Sequence, residues 1–138
     1  MTFNGFSAQA LDFLARLPTR DPAWFKANRK EYAGLVADPA KAFVLAIGEE
    51  MGQRLPGIVA QPKTNGSISP INNDLRFSPN KAPYKDHLLF RYWEGAPKKN
   101  APSLYVRIAP DAVGFATGIV PADIQRWREF VASDAGEE

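Results

Sequence analysis

The chain has 138 residues, no cysteine, one histidine and a formal net charge of +2. Its length fits one domain spanning 1–138 with a core of its own, and 45% hydrophobic with 23% charged residues argues against wholesale disorder. A chain without cysteine has no disulfide scaffold and no thiolate zinc site, and one histidine excludes a multi-histidine metal centre. No Asp/Glu cluster has the spacing of a calcium loop, so neither metal nor cofactor is expected.

The first third reads as helical. Ser7 is a good N-cap, with Phe6 placed to staple onto Leu11, and Ala10, Leu11, Leu14 and Leu17 recur at helical spacing until Pro18. Asp21-Pro22 predicts a second start, a cap followed by proline at the first helical position. Trp24, Phe25, Tyr32, Leu35 and Val36 give that helix its apolar face, and Asp38-Pro39 repeats the device for a third helix running through Phe43, Val44, Ile47 and Met51. Pro56-Gly57 ends it. Residues 1–57 are therefore expected to be mainly helical.

A polar loop, Gln61–Gly66, leads to a strand-rich part expected over 67–119. Leu75 and Phe77 would share one strand face with Arg76 on the other. Leu88–Trp93 is short and aromatic, apolar enough for a strand buried on both faces. Leu104, Val106 and Ile108 alternate with Tyr105 and Arg107, the clearest period-two signal in the chain. After the turn at Ala109-Pro110-Asp111, Val113 and Phe115 suggest the returning strand of a hairpin. A last helix is predicted over 121–132, opened by Pro121 and carrying Ile124, Trp127 and Val131, with a frayed tail at 133–138. Helices, then short strands with short connections, then a helix predict an α+β fold: N-terminal helices on one face of a mostly antiparallel sheet, followed by a C-terminal helix.

Charge is unevenly distributed. Between Arg76 and Arg107 seven cations stand against two anions, and from Ile108 onward two cations stand against six anions, giving +5 and −4. Such a basic middle suits an anion-binding surface or neutralisation within the fold. The candidate site is the segment Arg76–His87, where Ser78-Pro79-Asn80 favours a turn and Ala82-Pro83 an extended stretch. It presents Arg76, Lys81, Tyr84 and Lys85, with His87 and Arg91 following on one face of the next strand. These six are the candidate ligand-binding residues, suited to phosphate, sulfate or carboxylate through arginine forks and lysine point charges. The opposing expectation pairs Arg76 and Lys85 with Asp74 and Asp86 as a structural clamp. His87 with Asp74 or Asp86 is the candidate acid–base set. Walker and dinucleotide loops and a G-x-S-x-G elbow are absent.

Phe6-Ser7, Leu14, Trp24-Phe25-Lys26-Ala27-Asn28-Arg29, Tyr32 and Pro39 resemble the opening of the bacterial and fungal family called domain of unknown function 2461. Asp74-Leu75-Arg76-Phe77-Ser78-Pro79-Asn80-Lys81-Ala82-Pro83-Tyr84-Lys85 resembles that family's R-D-x-R-F-S-x-D-K-x-P-Y-K segment. The resemblance covers almost the whole chain and implies a fold, with no activity attached. Members typically have arginine where this chain has Asn73, often another at Pro70, and aspartate at Asn80. They also continue beyond the Pro121 helix, so a short variant or truncated product is expected.

Three functions stay open on the sequence. The first is a small anion-binding module for a phosphorylated small molecule. The second is an enzyme of acid–base or hydrolytic type centred on His87. The third is a structural or protein-interaction domain. Aromatics interleaved with cations (Tyr84, Tyr92, Trp93, Tyr105) make nucleic acid a partner to consider but not the favoured one. With no apolar run of roughly 20 residues, and with Asp12, Arg16 and Arg20 breaking the start of the chain, no membrane partner is expected and the cytoplasm is the expected address.

Overall fold

A computed structural model describes residues 2–76, 82–95, 97–118, 128–129 and 132. The helical part begins with α1 (Ala8–Arg16), capped by Ser7, whose Oγ accepts the Ala10 N–H at 3.1 Å. A 3₁₀ turn, Leu17–Thr19, takes up Pro18. Then come α2 (Pro22–Ala27), capped by Asp21 accepting from the Trp24 N–H at 2.8 Å, and α3 (Arg29–Tyr32). A π turn, Ala33–Ala37, leads into α4 (Asp38–Arg54). Both sequence-predicted caps at Ser7 and Asp21 are therefore present.

Asp38-Pro39 does not cap a separate helix. No side-chain cap bond forms there, and the backbone runs helically through Ala37 and Asp38. The wider π turn gives the physical reason: Pro39 has no N–H to offer and its ring would crowd the preceding turn of a regular helix.

The sheet has strand order β1-β2-β3-β4 and is antiparallel throughout, with β1 (Ile58–Val59), β2 (Leu88–Glu94), β3 (Ser103–Ile108) and β4 (Val113–Gly118). Pairing sets Leu88 opposite Ile108, Phe90 opposite Val106 and Tyr92 opposite Leu104. These side chains form the inner face, against Phe13, Leu14, Leu17, Val36 and Val44 of the helices. The Phe43 ring lies 4.6 Å from that of Phe90. Each such fully buried side chain contributes about 1.5–3 kcal/mol. The period-two pattern of β3 is observed as expected, with Val106 and Ile108 buried and Arg107 exposed. On β4 the inner-face residues Val113 and Phe115 are exposed, at 57% and 73%.

Leu75 and Arg76, the described part of the strand expected at Leu75–Phe77, are not in a strand. Residues 67–73 instead run beside β2 and the stretch before it through isolated bridges, Ile68 with Phe90 and Asn72 with Tyr84. Pro70, lacking an N–H, interrupts the ladder between them. Leu75 is exposed and Phe77 lies outside the described residues. Of the C-terminal helix expected over 121–132, only Arg128, Glu129 and Ala132 are described; Arg128 and Glu129 are helical, and the Ala132 N–H donates to the Arg128 carbonyl.

Candidate functional site

The Arg76–His87 segment closes an irregular hairpin between residues 67–73 and 83–91. Asn73 fastens its neck. The Asn73 backbone N–H donates to the Pro83 carbonyl and its Nδ2 to the Ala82 carbonyl, both at 2.9 Å. The hairpin contains a bulge. From Ile68 to Asn72 there are four residue steps, but from Tyr84 to Phe90 there are six. Bonds on either side (Ser69 N–H to Leu89 O, Lys85 N–H to Ile71 O) place Pro70 alone opposite Asp86, His87 and Leu88. Bulges of this kind re-aim side chains, and here they turn Asp86 and His87 out of the ladder.

The candidates then separate. Arg76 is exposed and makes a two-pronged contact with Asp74, Nε to Oδ1 at 3.1 Å and Nη2 to Oδ2 at 2.9 Å. That contact holds the Asp74 carboxyl below the usual carboxylate range. Tyr84 is buried and its ring stacks on Phe25 at 4.7 Å, joining the motif to the aromatic helix layer in which Phe25 also meets Tyr32. Lys85 Nζ donates to the Pro70 carbonyl at 2.8 Å, a tie across the bulge. Lys81 lies outside the described residues.

His87 and Asp86 are in contact, Nδ1 to Oδ1 at 2.9 Å, with Arg107 4.0 Å from the same oxygen. Asp86 is consequently shifted below its ordinary value, first by the His87 hydrogen bond, with burial opposing and the charges of His87 and Arg107 assisting.

Arg91 belongs to the sheet's outer face with Leu89 and Trp93, across from Ser103, Tyr105 and Arg107. Its Nε donates to Ser103 Oγ at 2.9 Å and its Nη2 to the Lys98 carbonyl at 2.8 Å, while the guanidinium stands 5.7 Å from the Tyr105 ring centre. The Ser103 hydroxyl in turn donates to the Ala101 carbonyl. Lys98 lies over Trp93, Nζ to ring centre 5.1 Å, and donates to the carbonyls of Asn65 and Gly66. Gly66 is required at that turn, since a Cβ there would fall 2.8 Å from Gln61 Cβ and 3.0 Å from the Gln61 carbonyl oxygen. Burial, and then the charge of Arg91, lower the Lys98 ammonium from its ordinary range. Among the described residues no carboxylate comes within ion-pair distance of Arg91 or Lys98.

Lys98 and Arg107 were visible in the sequence only as part of the basic stretch, because the loop Gly95–Pro102 hides the β2–β3 register. Among the described residues no group of three or more His, Cys, Asp or Glu is placed to hold a metal ion, and no helix is long and apolar enough to cross a membrane. A cleft of about 250 Å³ lies away from this surface, lined by Thr2–Gly5, Gly34, Asp38, Pro39 and Ala42.

An α+β domain with helices on one side of an antiparallel sheet and a cationic outer face is the class these features define. The chain belongs to the family described as Conserved hypothetical protein (DUF2461), whose model matches residues 9–137. No curated protein and no solved structure matches it.

Proposed function

We propose that the protein is a cytoplasmic anion-binding module that takes a phosphorylated small molecule on the outer face of its sheet, with Arg91, Lys98 and Arg107 as the binding groups. The observation that carries this is the Arg91–Lys98 pair, two neighbouring cations without a described carboxylate between them. Mutual repulsion makes such a pair costly alone, and an anion relieves it. Arg91 offers a directional fork and Lys98 a point charge. Of the sequence candidates the proposal retains Arg91; His87 is engaged by Asp86. Asp74, Pro70 and Phe25 engage Arg76, Lys85 and Tyr84 respectively.

Titration calorimetry with inorganic phosphate at low and at moderate salt tests it. Binding should weaken with salt, and Arg91→Met or Lys98→Met should each reduce affinity about 10-fold or more, as for a charge-assisted hydrogen bond. Absence of heat with folded wild-type protein at low salt would refute the proposal.

A second function has a specific contact behind it. Asp86 orients His87 as a carboxylate orients a general base, which suits an acid–base or hydrolytic enzyme. Turnover of nitrophenyl carboxyl or phosphate esters that disappears in His87→Gln would support it. No turnover by the wild type, or turnover unchanged by the substitution, would remove it.

A further inference from the structure

The surface beside the Arg91–Lys98 pair has a shape as well as a charge. Tyr105 stands directly across from Arg91 on β3, and Ala116 directly across from Tyr105 on β4. Gly114 and Gly118 flank Ala116 on the same outer face, since alternation along the strand returns every second residue to one side. Among the described residues a Cβ built on Gly118 meets nothing within 4 Å, and one on Gly114 meets only Arg107 Cβ, at 3.9 Å. Gly114 and Ala116 are exposed and Tyr105 is half-buried. Among the described residues the outer side of β4 is thus open space above backbone and one methyl group, bounded by an aromatic ring. From the strand of Arg91 to β4 is two strand spacings, about 9–10 Å, comparable to the length of a nucleoside monophosphate.

We infer that the ligand of this face is a phosphate ester carrying a planar ring, of the nucleoside monophosphate class, with its phosphate at Arg91 and Lys98 and its ring over Ala116 against Tyr105. The inference rests on the anion site proposed above and adds the ring. Charge and aromatic contact carry it together: the cations fix one end, Tyr105 supplies a π surface for the other, and the small residues of β4 leave room for the ring. Arg107, exposed beside Gly114, borders that space from the other side. Stacking of this kind tolerates different bases, because every base has a π face.

The experiment is a calorimetric titration of the full chain with inorganic phosphate, ribose 5-phosphate, adenosine monophosphate and uridine monophosphate at one low salt concentration. Both nucleotides should bind at least about 5-fold tighter than ribose 5-phosphate, as one stacked base predicts. Tyr105→Leu should abolish that difference, read as the ratio of nucleotide to ribose 5-phosphate affinity within the variant, because the Tyr105 ring also contacts Arg91. Ala116→Leu, an exposed change that fills the floor, should do the same and keeps the test independent of any folding defect at Tyr105. Equal affinity for ribose 5-phosphate and the nucleotides would overturn the ring while leaving the anion site standing. Failure of all four to bind would overturn both. A single-stranded oligonucleotide binding far tighter per phosphate than either nucleotide would overturn the assignment to a small molecule.

Discussion

Replacing Gly48 by alanine sets two effects of opposite sign against each other. In an open helix interior the change would stabilise by about 0.8–1.0 kcal/mol, because glycine loses more backbone freedom on folding. Gly48 is not in open space: its added methyl would lie 2.6 Å from Ala60 Cβ, just beyond β1. Carbon atoms sit comfortably at about 3.5–4.0 Å, so α4 and the chain at Ala60 must separate by about 1 Å. Ala60 Cβ is fixed to the backbone and cannot swing away. Overpacking of this kind costs about 1–3 kcal/mol, so contact outweighs propensity and the net loss should centre on about 1 kcal/mol. Gly52, on the same helix, has nothing within 4 Å of its built Cβ, and Gly52→Ala should gain up to about 1 kcal/mol. Urea and thermal unfolding of the two variants should therefore move in opposite directions, with midpoints separated by about 3–8 °C. Ala60→Gly should rescue Gly48→Ala and do little for Gly52→Ala. Equal stabilisation by the two alanines would refute the close helix–strand approach.

Two further outcomes follow from buried and paired polar groups. The Tyr92 hydroxyl lies in the core with no hydrogen-bond partner among the described residues, and burial pushes the phenol up from its ordinary value. Tyr92→Phe should therefore be neutral or stabilising by about 1 kcal/mol, since an unsatisfied buried group is removed; a chemical-denaturation loss above about 1 kcal/mol would contradict this. Asp86 is lowered in the folded state from its ordinary 3.8, so its stabilising contribution is complete above pH 3.8 and fades as pH falls through the lowered value. The stability difference between wild type and Asp86→Asn should shrink in acid, from less than about 1 kcal/mol because the side chain is half-exposed. A difference that grows below pH 3.8 would show the sign to be wrong.

Local chemistry in the sequence was enough for some elements. Ser7 and Asp21 are caps because their oxygens satisfy N–H groups three residues away, a relation readable without any tertiary information. The alternation of Leu104, Val106 and Ile108 likewise foretold which side of β3 is buried. Asp38-Pro39 misleads because the same dipeptide serves a helix start or a π turn, and the choice depends on packing of the helices around Val36. The segment 67–76 misleads for a different reason: its apolar residues look strand-like, but Pro70 and the bulge opposite prevent a continuous ladder. At the site, the Asp86–His87 contact is between neighbours in sequence. The Arg91–Tyr105–Ala116 row depends on strand registers, and for β2 and β3 that register is set across a loop with no short-turn rule to fix it.

The bulge opposite Pro70 decides how this part of the chain tolerates a change of length. Its excess is two residues, an even number, so on the longer side Tyr84 and Phe90 both remain in the core. Loss of the two extra residues would let the flanking ladders join without turning Tyr84 or Phe90 out of the core. Gain of two would reverse the change just as cleanly. The only histidine of the chain and the carboxylate that holds it thus sit within the extra stretch opposite Pro70, outside the flanking pairs.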